Sequence, residues 1–375
     1  MKKKVHSLID KVYSRTNLAL AWEKVKQNHG SAGIDEVTLA QFEANQEFYL
    51  DLLHRKLRDG TYQPKPVKRV EIAKSGGGVR QLGIPAVMDR VCQPALVQRM
   101  EPIFEPQFEE CSFGYRKGRS PHEAMRKVWQ ELNAGYGWCV DADLRAFFDT
   151  ISQDKLVDGI AEEISDGRVL QLIWAMLRAG AREGKYWQPT LTGVPQGAVT
   201  SPLWSNIFLT PFDRAMTAAG FRLTRGADDF VVLCKTRDEA QRALVFAERF
   251  LREELGVTLH PQKTRSVHSR HGFEFLGYKV KQGRGFRLSA QTRRSRANPL
   301  NLYAVPREKS VKRFREQIRH LTRRKAPLTL REVIERINPA IRGWGTFYRK
   351  AHVHRLFPQL DRWIEPRLYS FLAKR

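Results

Sequence analysis

Cysteine is scarce in this chain, and so is negative charge. The 375 residues include four cysteines, Cys92, Cys111, Cys139 and Cys234, far apart and with no CxxC pair. That spacing argues against a zinc knuckle and against a disulfide framework, and it suits a reducing compartment. Long apolar runs are missing too: none approaches the ~20 residues needed to span a bilayer. The start, MKKKVHSLID, has no signal-peptide hydrophobic region. The expectation is a soluble, cytoplasmic protein of bacterial-type intracellular habit with no membrane partner. Nothing in the sequence specifies an oligomeric state, and there is no internal repeat or low-complexity tract.

The shortage of acidic residues is local. Lys and Arg total 65 against 40 Asp and Glu, a net charge of +25. Residues 281–375 hold 25 basic and 6 acidic side chains, a net of +19, which leaves 40 and 34 for residues 1–280. A cationic C-terminal quarter suits a polyanion, because Lys and Arg neutralise phosphates and release counterions. A solvated basic surface is the plainer alternative.

What is present reads as an α+β chain without regular βαβ alternation. Residues 1–60 are expected to be mostly helical, broken by a GSAGID turn at 30–35. PKPVKRVEIAK and VRQLGIP alternate as two strands around a Gly-rich hairpin. A helical period returns from about Ala86 to Phe108. WCVDADLRAFF reads as a strand, residues 152–181 as a helical stretch, and GVPQGAVTSPLWSNIFLTPFDRAM as a turn entering a long helix. FRLTRGADDFVVLCK reads as a β-hairpin, followed by a helix from Thr236, capped with Glu239, to a stop at Gly256. Lys281 to about Pro306 marks the boundary into a basic helical module ending at Arg375.

Two stretches carry chemistry. VDADLRAFFD on a strand and GADD on a hairpin could bring Asp143, Asp228 and Asp229 together. Asp141 shares a face with Asp143 and is a rival for its place. Clustered carboxylates repel unless cations lie between them, and Mg²⁺ takes hard oxygen ligands, commonly one or two carboxylates plus substrate phosphates. Two such ions about 3.5–4 Å apart would serve an in-line phosphoryl displacement. Paired aspartates also occur in turns, through local side-chain-to-backbone hydrogen bonds, so GADD alone does not define a site.

The order of further motifs resembles the group II intron-type reverse transcriptases over nearly the whole chain. GSAGID looks like their N-terminal element, and RQLGIPAVMDRVCQ (80–93) and SFGYRKGRS (112–120) look like their fingers motifs. VDADLRAFFDTI (140–151) and RGADDFVVL (225–233) are similar to the two catalytic motifs. GVPQGAVTSPLWSNIFL (193–209) is similar to the template- and nucleotide-contacting motif, LHPQKT (259–264) and FEFLGY (273–278) to the last palm motifs, and INPAIRGWGTFYRK (337–350) to the maturase-type thumb.

The resemblance implies a right-hand polymerase with an antiparallel palm sheet flanked by helices and a helical thumb/maturase domain. Residues 1–110 would be N-terminal element and fingers, 111–285 the palm with the remaining fingers segments, and 286–375 the basic thumb. It implies an RNA-directed DNA polymerase extending a DNA or RNA primer on an RNA template with dNTPs, and two Mg²⁺ ions for which Mn²⁺ could substitute. Asp143, Asp228 and Asp229 would be catalytic metal ligands, with the Leu144 backbone beside them; Asp149 would be structural. Lys74, Arg80, Phe148, Gln196 and Lys263 would meet the dNTP: triphosphate grip from Lys74 and Arg80, a steric gate from Phe148, base contact from Gln196 and proton donation from Lys263. Their plain alternatives are hairpin-tip charge and core packing. A structured intron or other non-coding RNA would be a partner, with Arg342, Arg349, Lys350 and Arg362 the RNA contacts. Trp344, Phe347 and Tyr348 recur at helical spacing and read as packing between thumb helices.

One position departs from the family. Gly226 and Ala227 precede the aspartates at the primer-end region, where the family usually has Tyr in the place of Gly226. The loss would loosen the primer terminus; equally, glycine tolerates positive φ and would suit the hairpin. The sequence ends at Arg375 without a Cys-rich or HNH-like endonuclease segment, so independent cleavage of a DNA target is not expected. Besides splicing and retrohoming, two other services fit the motifs: a domesticated enzyme in antiviral defence, CRISPR adaptation or DNA repair, and an RNA-binding maturase with a vestigial polymerase site.

Overall fold

The computed structural model describes residues 4–73, 79–184, 186–283, 302–323 and 328–373. In chain order the strands among them are β1 (Val67–Ala73), β2 (Val79–Ile84), β3 (Trp138–Asp143), β4 (Ala181–Glu183), β5 (Tyr186–Gln188), β6 (Arg222–Gly226), β7 (Asp229–Cys234), β8 (Arg265–His268), β9 (Phe273–Phe275), β10 (Tyr278–Gln282) and β11 (Leu302–Pro306). The chain divides into two compact units. The first takes Met1–Ser120, Ala142–Asp228 and Leu244–Lys263; the second takes Pro121–Asp141, Asp229–Ala243 and Thr264–Arg375.

In the first unit the helices Arg15–Gln27 and Gln46–Asp59 pack on Val87–Phe104. That last helix buries Val87, Val91, Ala95, Leu96 and Met100 around most of its circumference, each large apolar side chain contributing about 1.5–3 kcal/mol. Asn17, fully buried, is tolerated because its amide donates to the Val12 and Ala95 carbonyls, both at 2.9 Å. A four-stranded sheet runs β2-β1-β4-β5, antiparallel except for the β1–β4 pair. The Gly-rich connection between β1 and β2 lies outside the described residues.

The expected helix over 152–181 is two helices, Gln153–Ala161 and Gly167–Arg178. The break is held by Asp166, whose carboxylate accepts the Arg168 and Val169 N–H groups at 3.0 and 3.3 Å. The same carboxylate accepts Leu8 and Ile9 N–H at 2.7 and 2.8 Å, so one side chain closes two helix starts. The expected strand through Phe148 also stops early, at Asp143. Ala146 takes φ +46° and Phe147–Thr150 form a helical turn that sends the Phe147 ring into the core against Phe208.

In the second unit β7, β3 and β8 are neighbours in that order, and β9, β10 and β11 form an antiparallel sheet. Helices Glu308–Leu321, Leu330–Tyr348 and Leu356–Leu372 enclose a core of Phe314, Ile318, Val333, Ile337, Leu360, Ile364 and Phe371. Thr329 and Glu332 cap the middle helix reciprocally. Its last turn is pinned at the Phe347 carbonyl, which accepts the Tyr278 hydroxyl at 2.6 Å and lies 2.7 Å from His122 Nε2. Trp344 packs on Phe314 and Tyr348 at centroid distances of 4.8 and 4.6 Å, the packing role its spacing predicts. All four cysteines are buried, and none forms a disulfide among the described residues. Among the described residues no helix is long and apolar enough to cross a membrane.

Candidate active site

Asp143 ends β3, and its carbonyl accepts the His260 N–H at 2.8 Å. The next residue, Leu144, donates its N–H to the Asp228 carbonyl across 3.4 Å and bridges Leu259. Three distant motifs thus meet on main-chain contacts in the first unit: the β3 end, the turn after β6 and the LHPQKT loop. Lys263, from that loop, sets its ammonium on the Asp143 carboxylate. Asp143 is 25% exposed and Lys263 59%, so the pair sits at the water boundary.

The turn holding Asp228 is fixed from below by a side chain the sequence reading passed over. Arg225 is fully buried, and each of its five N–H groups has an acceptor. Nε reaches Asp213 Oδ1 at 2.8 Å and Nη2 the other Asp213 oxygen and Ser112 Oγ, the latter at 2.9 Å. Nη1 donates to Asn206 Oδ1 at 3.2 Å and to the Ala227 carbonyl at 2.8 Å. Burial works against the guanidinium charge, and Asp213 outweighs it, leaving the Arg225 pKa above its ordinary value. A partial signal was present in the sequence: a lone Asp in the apolar run of helix Ser201–Ala218, which needs a buried cation as its partner.

Ala227, not Gly226, takes the left-handed backbone, at φ +72°. Gly226 is the last residue of β6, so the need for positive φ does not explain the glycine there. Another glycine is explained by this turn. A Cβ on Gly114 would lie 2.3 Å from the Ala227 nitrogen and 2.8 Å from the Gly226 carbonyl carbon. Around it, Phe113 N–H donates to the Arg225 carbonyl at 2.9 Å and Asn206 Nδ2 to the Gly114 carbonyl at 2.9 Å.

Phe148, Asp149 and Gln196 also come together. Val194 and Gly193 N–H donate to the Phe148 and Ile151 carbonyls at 2.7 and 2.8 Å. This approach needs Gly193, where a Cβ would lie 2.7 Å from the Phe148 carbonyl oxygen. The Gln196 amide points at both Asp149 oxygens, each at 3.3 Å. Phe148 is half-buried and packs edge-on against Phe147. Lys74 and the Arg80 side chain lie outside the described residues; the Arg80 backbone pairs with Ile72.

In the second unit Asp229 opens β7 and accepts the Leu276 N–H at 3.4 Å. Asp141 pairs with Arg265 at 3.2 Å, and burial raises its pKa against that pairing. Among the described residues no three His, Cys, Asp or Glu side chains form a ready-made metal cage. The donor set nevertheless suits a hard divalent ion, since Asp143 and Asp228 supply carboxylate oxygens on joined backbones, and a cation, Lys263, already sits on one. Arg342, Arg349, Lys350 and Arg362 are exposed. The structure adds Arg315, Arg319 and Arg367, whose guanidinium carbons lie 5.7, 5.5 and 5.0 Å from the Trp363 ring centroid.

Residues 72–280 match the reverse transcriptase (RNA-dependent DNA polymerase) family, and residues 311–375 match the group II intron maturase-specific domain. Protein YkfC of Escherichia coli (strain K12) is 33% identical over 286 residues, covering 66% of this chain and 75% of YkfC. Group II intron-encoded protein LtrA of Lactococcus lactis subsp. cremoris is 26% identical over 383 residues, covering 82% of this chain and 63% of LtrA. Among solved structures, a chain of a partial Cas6-RT-Cas1–Cas2 complex is similar at 22% identity and a TM-score of 0.43, over 66% of this chain and 43% of that one.

Proposed function

The chain belongs to the reverse transcriptase (RNA-dependent DNA polymerase) family, group II intron type with a maturase-specific domain, and from that premise we propose that it extends a primer 3′-hydroxyl with dNTPs on an RNA template. The observation that carries this reading is the main-chain junction that sets Asp143 beside Asp228 with Lys263 on the Asp143 carboxylate. On this reading residues 1–110 are N-terminal element and fingers, 111–285 palm, and 286–375 thumb.

Polymerases of this family generally use divalent metals, and here Asp143, Asp228 and Asp229, with the Leu144 backbone, would hold Mg²⁺. Such ions supply activation of the attacking hydroxyl and stabilisation of the leaving oxygen. The other steps belong to the chain. Lys263 carries a proton and a positive charge to the pyrophosphate side, and Lys74 and Arg80 grip the triphosphate, Arg as a fork and Lys as a point charge. Phe148 is wedged by the Gly193–Val194 backbone where its ring crowds a 2′-hydroxyl. Gln196, oriented by Asp149, meets the nascent base pair. Positioning of this kind supplies much of the rate.

The C-terminal module is assigned to structured intron RNA, held by Arg342, Arg349, Lys350 and Arg362 together with the guanidinium cluster on Trp363. Primer extension by the purified protein on matched RNA and DNA templates, with Mg²⁺ and dNTPs, tests the reading. DNA synthesis on RNA supports it; tight RNA binding with no extension on either template leaves only a maturase.

Two variants probe the turn. Gly114→Ala forces a Cβ into the backbone of Ala227, and a misplacement near 1 Å costs about 10²-fold in rate. Extension at least ~10-fold slower, with Gly167→Ala unaffected at its open position, is the expected outcome of a parallel kinetic assay. Gly226→Tyr restores the family's aromatic. It is expected to lower the KM for the primer terminus a few-fold and to change misincorporation; a variant with unchanged rate, fidelity and primer choice removes any role for the glycine.

A further inference from the structure

We propose that one face of the β4–β5 hairpin is a seat for single-stranded nucleic acid, with the Trp187 indole stacking on an unpaired base and Lys68 and Arg182 meeting the phosphates. The inference rests on the polymerase reading of the same unit and adds a subsite to it.

Trp187 is 56% exposed, yet its ring is fixed. Its indole N–H donates to the Ala179 carbonyl at 3.4 Å. Beneath it lies Gly180, at φ +80°, where a Cβ would come within 2.6 Å of the indole nitrogen and 2.7 Å of the Gln188 carbonyl oxygen. Only glycine lets the indole lie against the chain there. A large aromatic held open to water in one orientation is a surface prepared for a flat partner.

Strand register then sorts the charges. Arg182 pairs with Trp187 across β4 and β5, and Lys68 pairs with Arg182 across β1 and β4, so all three share a face. Val70 and Ile72 follow on the same face of β1 by alternation. Glu71 and Glu183, the carboxylates of these strands, alternate to the opposite face, as does Tyr186. The Trp187 face therefore offers cations and apolar surface without a competing carboxylate from its own strands. Arg182 is steadied by its own bond to the Gly184 carbonyl at 3.1 Å.

The sheet also connects this face to the candidate active site. Its β2 edge is joined to the nucleotide-contacting loop, Gly83 N–H donating to the Gln196 carbonyl at 2.9 Å. From β2 to β5 are three inter-strand steps of ~4.8 Å, about 14 Å in all. That is the length of roughly four stacked nucleotides at ~3.4 Å per step. A template strand leaving the Gln196 loop would reach Trp187 only with several unpaired nucleotides ahead of the primer end.

The test compares two labelled primer–RNA template duplexes, with 5′ template overhangs of one and of eight nucleotides, by fluorescence anisotropy with the full-length protein. Trp187→Ala is expected to weaken the long-overhang complex ~5- to 100-fold, the range for stacking one base on an aromatic, and to leave the short-overhang complex unchanged. Trp187→Phe should recover most of the loss, and Tyr186→Ala, on the other face, should show none. Arg182→Ala should lower the slope of log affinity against log salt by about 0.7 on the long overhang only. Equal affinities of wild type and Trp187→Ala for the long overhang, or equal losses on both duplexes, would overturn the proposal and leave the face to a protein partner. Extension of the one-nucleotide overhang by wild type is scored separately: its failure counts against the polymerase reading, whereas the overhang-dependent binding difference stands or falls by itself.

Discussion

Asp228→Asn is expected to slow primer extension by about 10³-fold while the protein melts within about 2 °C of wild type. The substitution removes one negative charge and almost no volume. Asp228 is half-buried, and one contact that places it is its main-chain carbonyl, which accepts the Leu144 N–H whatever the side chain carries. The loss therefore falls on charge stabilisation of the reacting phosphate, and removal of one preorganised electrostatic partner commonly costs 10²–10³-fold or more. Asp143→Asn should behave alike, with the added effect of releasing Lys263. Asp141→Asn should cost far less, since its carboxylate is engaged by Arg265. Extension assays on the three purified variants, beside thermal melts, check the assignment. Were Asp141→Asn the inactive one and Asp143→Asn active, the metal-ligand role would pass to Asp141.

The parts of this site that could be read from the sequence are those written in local pattern. Alternation over Val67–Ala73 and Val79–Ile84, the Gly256 stop and the turn-to-helix step at Ser201 each depend on a few adjacent residues, and each is present. Even the Thr236 cap is recognisable, although Glu239 reaches the Lys235 N–H rather than that of Thr236. What could not be read depends on contacts between distant residues. LRAFF keeps an apolar, strand-like composition, yet Phe147–Thr150 form a helical turn on which Gly193 and Val194, more than 40 positions on, dock through the Ile151 and Phe148 carbonyls. Gly226 invited a local explanation by backbone freedom, but the left-handed residue is Ala227, held by Arg225 from below. The side-chain partners of Arg225 lie 12, 19 and 113 positions away, beyond any periodic signal.

Those distant partners make Asp213 the position where a single change should be most damaging to stability. Asp213→Ala removes the carboxylate paired with the Arg225 guanidinium at zero exposure. Removing one member of a buried ion pair typically costs 3–5 kcal/mol, because the remaining charge stays desolvated. For a chain of this size that corresponds to a drop of roughly 4–6 °C in melting temperature, and activity would fall with the weakened fold. The single variant therefore cannot separate stability from placement of the turn. The double variant Asp213→Leu with Arg225→Met can, since replacing both partners with apolar side chains of similar volume is often neutral for stability. Its melting temperature should rise above that of Asp213→Ala, as measured by calorimetry, the remaining deficit reflecting the Ser112, Asn206 and Ala227 oxygens that lose the guanidinium. Its Ala227 carbonyl, however, loses the donor that ties it to Arg225, in a turn already holding a non-glycine residue at φ +72°, a conformation that costs about 1–3 kcal/mol and persists only when its surroundings fix it. With that tie gone, the turn should relax and carry Asp228 away from the Leu144 N–H. Extension should remain at least ~10-fold slow in a protein that stays folded at the assay temperature. A double variant both stable and fully active would reduce Arg225 to a core-filling side chain, and the aspartate turn would then owe its position to Gly114 and β6 alone.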